Sequence, residues 1–238
     1  MSNTFFLMGF CLLKKIEFIS LKDQYNVLKK EIDVAIERCI DSAAFIQGQE
    51  VHELESVLGK YTDSKCLSVA NGTDALIISL MALGIGPGDE VIAPSFTWVS
   101  TVEAIKIVGA TPVYIDICED TFNLDVSLLP ELITPRTKTI IAVSLFGRCA
   151  NLSKIMNFAE SHNLSVIEDS AQAFGSKSDG IISCSLCDFS TTSFFPAKPL
   201  GCYGDGGAIF TKSEELYDRA SIISKNGQKG RYNCLEVG

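Results

Sequence analysis

Between residues 66 and 224, short apolar segments alternate with segments of helical periodicity, and this alternation restricts the fold more than any other feature. Predicted strands cover residues 66–70, 90–93, 112–116, 139–145, 164–168, 189–193 and 208–211. Predicted helices cover residues 75–83, 100–108, 127–133, 152–162 and 213–224. Strands and helices in this order predict an α/β fold with a mostly parallel sheet and helices on both faces.

The residues before this pattern are predicted to be mainly helical. Apolar residues recur at helical spacing over residues 24–40, and a second helix is predicted at 51–58, after a loop at 45–50. Residues 16–21 alternate between apolar and polar side chains, which predicts a short strand.

An apolar run at residues 5–13 is too short to span a bilayer. The basic residues Lys14 and Lys15 follow the run instead of preceding it, which is unlike a signal peptide. We therefore treat residues 1–15 as an appendage, with a signal anchor as the alternative. The expected organisation is this appendage, an N-terminal strand and helical segment at 16–60, and a large domain at 61–238.

The charge balance excludes some classes of partner. The 238 residues carry 20 basic and 29 acidic side chains, for a formal net charge of −9. A chain this acidic is not expected to bind nucleic acid or an anionic membrane surface. A phosphate ligand would need a local site built mostly from backbone groups.

Nine cysteines are scattered without the regular spacing of a disulfide framework. Cys184 and Cys187 form one CxxC pair, with no second pair and no clustered histidine, so no metal site is predicted. We therefore interpret the cysteines as reduced, which is typical of a cytosolic protein.

Lys198 lies in an unusual local sequence, between Pro196 and Pro199 and after the apolar pair Phe194–Phe195. The two prolines exclude a regular helix or a central strand, and glycines follow at 201, 204, 206 and 207. A lysine held away from water favours the neutral amine, which is the nucleophilic form. The alternative is a lysine that only caps a loop.

The other candidate residues follow the carboxyl ends of predicted strands, where sites form in parallel sheets. They are Thr73, Trp98, Asp116, Asp169 and Gln172. The strand, turn and helix around Gly72 and Thr73 predict an anion site at a helix N-terminus, although Asn71 or Thr73 could be only an N-cap. Asp169 could likewise be an N-cap. Together with a Schiff-base lysine it suggests instead the partner of a pyridinium nitrogen.

Five sequence blocks resemble the DegT/StrS-type family of pyridoxal phosphate (PLP)-dependent sugar aminotransferases. They are ANGTDAL at 70–76, GPGDEV at 86–91, FTW at 96–98, EDSAQ at 168–172 and SFFPAKPLGCYGDGG at 193–207. The blocks occur in family order, and the resemblance covers roughly residues 16–238. It implies the large domain of a fold type I PLP transferase.

The resemblance also implies roles for individual residues. Lys198 would form the Schiff base with PLP, Asp169 would keep the pyridine nitrogen protonated, and Gln172 would lie near the O3′ side of the cofactor. Trp98 matches the aromatic residue that stacks on the ring. The phosphate would be held by Gly72, Thr73 and Ser193.

The block around Lys198 looks most like that of aminotransferases for UDP-linked 3-keto sugar acids, which make precursors of bacterial O-antigen. This implies a nucleotide-sugar substrate, glutamate as the amino donor and a homodimer. Related dehydratases of the same fold carry His at the lysine position, so Lys198 argues against them.

The family pattern continues beyond the position of Gly238. Members have a Gly-x-Asn-x-Arg segment, whose Asn reaches the phosphate of a neighbouring subunit, and then a small C-terminal domain. Residues 226–228 match the approach to this segment but are not that Asn. The alternative function is therefore a PLP-binding or oligomerising domain without turnover, and a longer reading frame would favour the enzyme. A nicotinamide-binding domain is disfavoured because no GxGxxG follows the first strand.

Overall fold

The computed structural model describes residues 17–230 and 233–238, so the predicted appendage at 1–15 lies outside the described residues. The helices are α1 Leu21–Ser42, α2 Gln49–Thr62, α3 Gly72–Ala82, α4 Ser100–Ile107, α5 Leu129–Leu132, α6 Leu152–Ser161 and α7 Glu214–Ile223, with a 3-10 turn at Val126–Leu128. The strands are β1 Lys65–Val69, β2 Glu90–Pro94, β3 Thr111–Ile115, β4 Thr137–Val143, β5 Ser165–Asp169, β6 Lys177–Ser178, β7 Ile181–Ile182, β8 Phe189–Ser193 and β9 Gly207–Thr211.

Seven of these strands form one sheet in the order β1-β9-β8-β5-β4-β2-β3. The neighbours from β8 to β3 are all parallel, whereas β9 pairs antiparallel with both β1 and β8. The predicted, mostly parallel sheet is confirmed. The antiparallel β9 follows from its connection, because β8 and β9 are joined directly by the loop that carries Lys198.

Helices cover both faces of the sheet because successive side chains of a strand point to opposite faces. In β2, Val91 and Ala93 pack into a core formed with α3, α4 and α7. Ile92 lies between them in sequence and packs into a second core, formed with α5 and α6. Strands buried on both faces read as continuous apolar runs, which is why they were predictable from sequence.

The predicted strand at residues 16–21 is wrong over its described part. Residues 17–20 are not in a strand, and Leu21 begins α1. Ser20 caps this helix by accepting a hydrogen bond from the backbone N–H of Asp23, so the local polar contact starts a helix where the alternation predicted a strand. Among the described helices, none is both long and apolar enough to cross a membrane.

Candidate active site

A cavity of about 950 Å³ opens beyond the carboxyl ends of the central strands. Its wall combines the N-terminus of α3, the segment after β2, the end of β5 and the loop after β8. The structure brings all seven predicted cofactor residues to this one cavity: Gly72, Thr73, Trp98, Asp169, Gln172, Ser193 and Lys198.

Backbone hydrogen bonds fix the loop that carries Lys198. The N–H of Lys198 donates to the carbonyl of Phe195 over 2.8 Å, and the N–H of Cys202 donates to the carbonyl of Phe194 over 2.8 Å. A Cβ at Gly201 would lie 2.4 Å from a backbone oxygen of the same loop, so the turn requires glycine there. Lys198 is therefore held half-buried on the cavity wall by a tight loop.

Asp169 ends β5 with its carboxylate almost fully buried, at 8% exposure. Oδ2 accepts a 3.0 Å hydrogen bond from the hydroxyl of Thr101, and Oδ1 accepts a 3.1 Å bond from the N–H of Ala171. Burial raises the pKa of Asp169, while these two hydrogen bonds and the charge of Lys198 act in the opposite direction. Residues 171–175 form turns, so Asp169 does not cap a helix.

The N-terminus of α3 meets the end of β8 at a distance that only glycine permits. A Cβ on Gly72 would lie 2.7 Å from the Cβ of Ser193. Asn71 is the N-cap and accepts from the N–H of Asp74 over 2.8 Å, so the capping alternative is correct for Asn71. The N–H groups of Gly72 and Thr73 have no acceptor within a helix that begins here, which leaves them for an anion at the cavity.

Two predicted residues lie on other parts of the wall. Trp98 follows β2 and is 68% exposed, so its ring is not packed into the core and presents free surface at the cavity. Gln172 is anchored by its Oε1, which accepts from the N–H of Phe146 over 3.3 Å. That bond fixes the side-chain oxygen of Gln172 beside Phe146.

The proposed grouping of Asp116 with the other strand-end residues is wrong. Asp116 follows β3, the edge strand of the sheet, and does not line the cavity. Its exposed side chain accepts from the N–H of Ile117 over 2.8 Å and so stabilises the local turn. A sequence shows where strands end but not which strand lies at the edge.

Sequence reasoning missed two threonines, Thr97 and Thr101, that form a hydrogen-bond chain with Asp169. Thr97 lines the cavity, and its Oγ1 lies 3.1 Å from the Oγ1 of Thr101, which in turn bonds Asp169. No helical spacing could have revealed the pair, because Thr97 lies in the segment between β2 and α4 and only Thr101 belongs to the helix.

With this geometry established, comparisons with known proteins identify the relatives. The model of the DegT/DnrJ/EryC1/StrS aminotransferase family matches residues 26–238. The chain belongs to this family. Its aminotransferase domain therefore accounts for nearly all of the described residues.

Among relatives of the family, the UDP-2-acetamido-2-deoxy-3-oxo-D-glucuronate aminotransferase of Pseudomonas aeruginosa is 52% identical over 94% of this chain and 62% of its own length. The crystal structure of Streptomyces venezuelae DesV in complex with a ketimine intermediate matches with a TM-score of 0.92 and 37% identity, over 94% of this chain and 61% of that one. The crystal structure of Bacillus subtilis NtdA with bound cofactor PMP matches with a TM-score of 0.87 and 32% identity. This match covers 93% of this chain and 51% of the NtdA chain.

These matches confirm the predicted family and the fold of its PLP-dependent members. The chain spans about three fifths of the length of the curated relatives it matches, from 58% to 62% for four of them. The matched part of these relatives is the aminotransferase domain.

Proposed function

We propose that the chain is the PLP-binding large domain of an aminotransferase that converts a nucleotide-linked keto sugar to an amino sugar. The proposed substrate is a UDP-linked 3-keto uronic acid sugar, the donor is glutamate, and the product serves bacterial surface polysaccharide synthesis. One observation supports PLP-dependent amino transfer: Lys198 and Asp169 line the same cavity as Gly72, the first residue of α3. The activity for which the Pseudomonas aeruginosa relative is named supports the substrate class.

The residues of the cavity fit PLP group by group. The N–H groups of Gly72 and Thr73 and the hydroxyl of Ser193 suit its phosphate. A side chain on Gly72 would occupy the space between α3 and Ser193. A buried carboxylate at Asp169 suits a protonated ring nitrogen. Trp98 offers a flat face for the ring, and Gln172 a polar group beside it.

When bound, PLP supplies an electron sink that stabilises negative charge on the carbon next to the transferred amine. Lys198 would hold the cofactor through its Nζ until a substrate amine displaces it. Its freed amine would then remove a proton from the substrate carbon and return it to the C4′ carbon of the cofactor. In the half-reaction with the keto sugar, the amine of Lys198 would move a proton in the opposite direction, from C4′ to the sugar carbon.

Asp169 and Trp98 would prepare the site for this proton transfer. The Asp169 carboxylate would keep a proton on the ring nitrogen, since an opposite charge at close range favours the charged form by about 1–3 pKa units. The indole of Trp98 would offer the cofactor ring a flat surface to pack against. These roles of Lys198, Asp169, Gln172, Trp98 and the phosphate residues stay predictions.

A second copy of the chain is the proposed partner in a homodimer. Phe96, Phe122 and Phe146 form an aromatic cluster with ring centroids 5.7–6.3 Å apart. Their side chains are 44–64% exposed in the single chain, and the N–H of Phe146 bonds the cavity residue Gln172. A cluster of this kind next to a site is suited to burial against another subunit.

The cytosolic location expected from the cysteines is part of the same proposal. The eight cysteines that lie within the described residues are all free thiols. Reduced thiols favour a cytosolic compartment.

The experiment is an amino-transfer assay with glutamate and a UDP-linked 3-keto uronic acid sugar. The assay uses both this chain and the product of the complete reading frame that contains it, with Lys198→Ala as the control. We expect an amino sugar from the complete product and none from the variant. If both wild-type proteins bind PLP but neither transfers an amine, the alternative holds, a PLP-binding or oligomerising domain without turnover.

A further inference from the structure

The hydroxyl of Thr101 lies between the buried carboxylate of Asp169 and the hydroxyl of Thr97, another residue of the cavity wall. Thr101 lies in the first turn of α4 and is fully buried. Its Oγ1 donates to Oδ2 of Asp169 over 3.0 Å and lies 3.1 Å from the Oγ1 of Thr97. The three groups therefore form one continuous hydrogen-bond chain.

The direction of this chain follows from the number of protons. A hydroxyl has a single proton to donate, and an ionised carboxylate only accepts. Because Thr101 gives its proton to Asp169, it must accept the proton of Thr97. Both hydroxyls then point their protons toward the carboxylate, and each bond polarises the next.

The carboxylate of Asp169 depends on these contacts because burial opposes its charge. Its two oxygens are each fixed by one hydrogen bond, Oδ1 by the N–H of Ala171 and Oδ2 by Thr101. Lys198, on the loop after β8, acts on it as an attractive charge. Glu168, the preceding residue of β5, interacts with it as a like charge. Among the described residues, the hydroxyl of Thr101 makes the only side-chain hydrogen bond to Asp169.

We propose that Thr101 is the positioning residue that keeps Asp169 ionised and oriented in the cavity, and that Thr97 orients the hydroxyl of Thr101. The meaning of this arrangement rests on the proposed function, in which the carboxylate faces a protonated ring nitrogen. The hydrogen-bond chain itself belongs to the protein and acts without the cofactor. It also connects the acid to the segment that carries Trp98.

A purely structural role for Thr101 makes a different prediction. If the side chain only filled space in the core, valine, which has a similar shape, would leave the protonation of Asp169 unchanged. Serine keeps the hydroxyl but loses a methyl group, so it separates the hydrogen bond from the packing. The matched pair is therefore Thr101→Val and Thr101→Ser.

The test follows the carboxyl ¹³C resonance of Asp169 against pH in the 238-residue chain without cofactor, assigned with Asp169→Asn. In Thr101→Val we expect the protonation midpoint to rise by about one pH unit, a tenfold gain in proton affinity. Thr101→Ser, which keeps the donor, should stay within about 0.3 pH units of wild type. Thr97→Val should shift the midpoint upward by less than Thr101→Val, since it removes only the outer bond.

A Thr101→Val midpoint equal to wild type overturns the proposal. If circular dichroism shows that this variant is unfolded, Thr97→Val decides, because it keeps Thr101: an upward shift supports the proposal and no shift overturns it. A PLP titration of wild type distinguishes a failure of this inference from a failure of the proposed function. Shifted midpoints with no PLP binding would refute the proposed function alone, whereas PLP binding with unshifted midpoints would refute this inference alone.

Discussion

Gly72 and Ser193 approach so closely that a Cβ on Gly72 would lie 2.7 Å from the Cβ of Ser193. This contact seats the N-terminus of α3 on the end of β8. It brings backbone N–H groups and a hydroxyl to one point of the cavity, and Asp169 and Lys198 lie on the same wall.

The first prediction concerns that contact. Gly72→Ala should force α3 away from Ser193, at a cost of about 1–3 kcal/mol in the free energy of unfolding. It should weaken PLP binding by roughly tenfold or more, because the phosphate loses its aligned N–H groups. PLP titration and urea unfolding measure the two effects. Gly86→Ala is the control, since a Cβ there would meet only one atom, at 3.7 Å. Equal PLP affinity in both variants would contradict a phosphate site at Gly72.

The second prediction separates two strand-end carboxylates. Asp169→Asn should reduce amino transfer by roughly a hundredfold or more while PLP still attaches, because the ring nitrogen loses the charge that keeps it protonated. Asp116→Asn, on the edge strand and outside the cavity, should match wild type. Turnover is measured with the product of the complete reading frame. Near-normal turnover in Asp169→Asn would mean that this carboxylate only stabilises the turn.

The third prediction follows from the raised pKa of Asp169. Below its ordinary pKa of 3.8 the acid is protonated in both the folded and the unfolded chain. Between that value and its higher folded pKa, the folded chain binds more protons, so stability falls as pH rises through this window and then levels off. A difference of one pH unit between the folded and unfolded pKa corresponds to about 1.4 kcal/mol of stability.

The measurement is the free energy of unfolding in urea from about pH 3 upward, for the wild-type chain and Asp169→Asn without cofactor. The difference, wild type minus variant, should decrease with pH, because the variant cannot ionise at this position. A difference that is constant or increases with pH would contradict the burial effect.

The fourth prediction tests the aromatic cluster as a subunit contact. Phe146→Ser should weaken dimerisation by about thirtyfold, the effect of losing about 2 kcal/mol at a central contact. Phe45→Ser is matched to it, since both side chains are 64% exposed. Sedimentation over a concentration series gives both dissociation constants. An equal effect of the two substitutions would show that the cluster is not the specific contact.

Much of the fold was predictable because β2 and β4 are buried on both faces and read as apolar runs. The strand predicted at 16–21 failed because Ser20 caps a helix, a local contact that outweighs a short alternation. The pairing of Lys177–Ser178 with Ile181–Ile182 was missed, since two-residue strands carry too little pattern.

Most of the candidate site was also predictable, because side chains after parallel strands meet at one edge of the sheet. Asp116 was the exception, since its strand lies at the end of the sheet order. Thr101 was not predicted because its bond to Asp169 joins positions 68 residues apart and depends on tertiary packing.

The central claim is that Lys198 holds PLP covalently in this cavity. The most direct measurement is to incubate the chain with PLP, reduce the complex with borohydride, digest it and locate the pyridoxyl group by mass spectrometry. We expect one modified residue, Lys198, and no modification of the cavity in Lys198→Ala, while the visible band of attached PLP disappears. A band that survives in Lys198→Ala, or a pyridoxyl group on another lysine in the wild-type chain, would contradict the account.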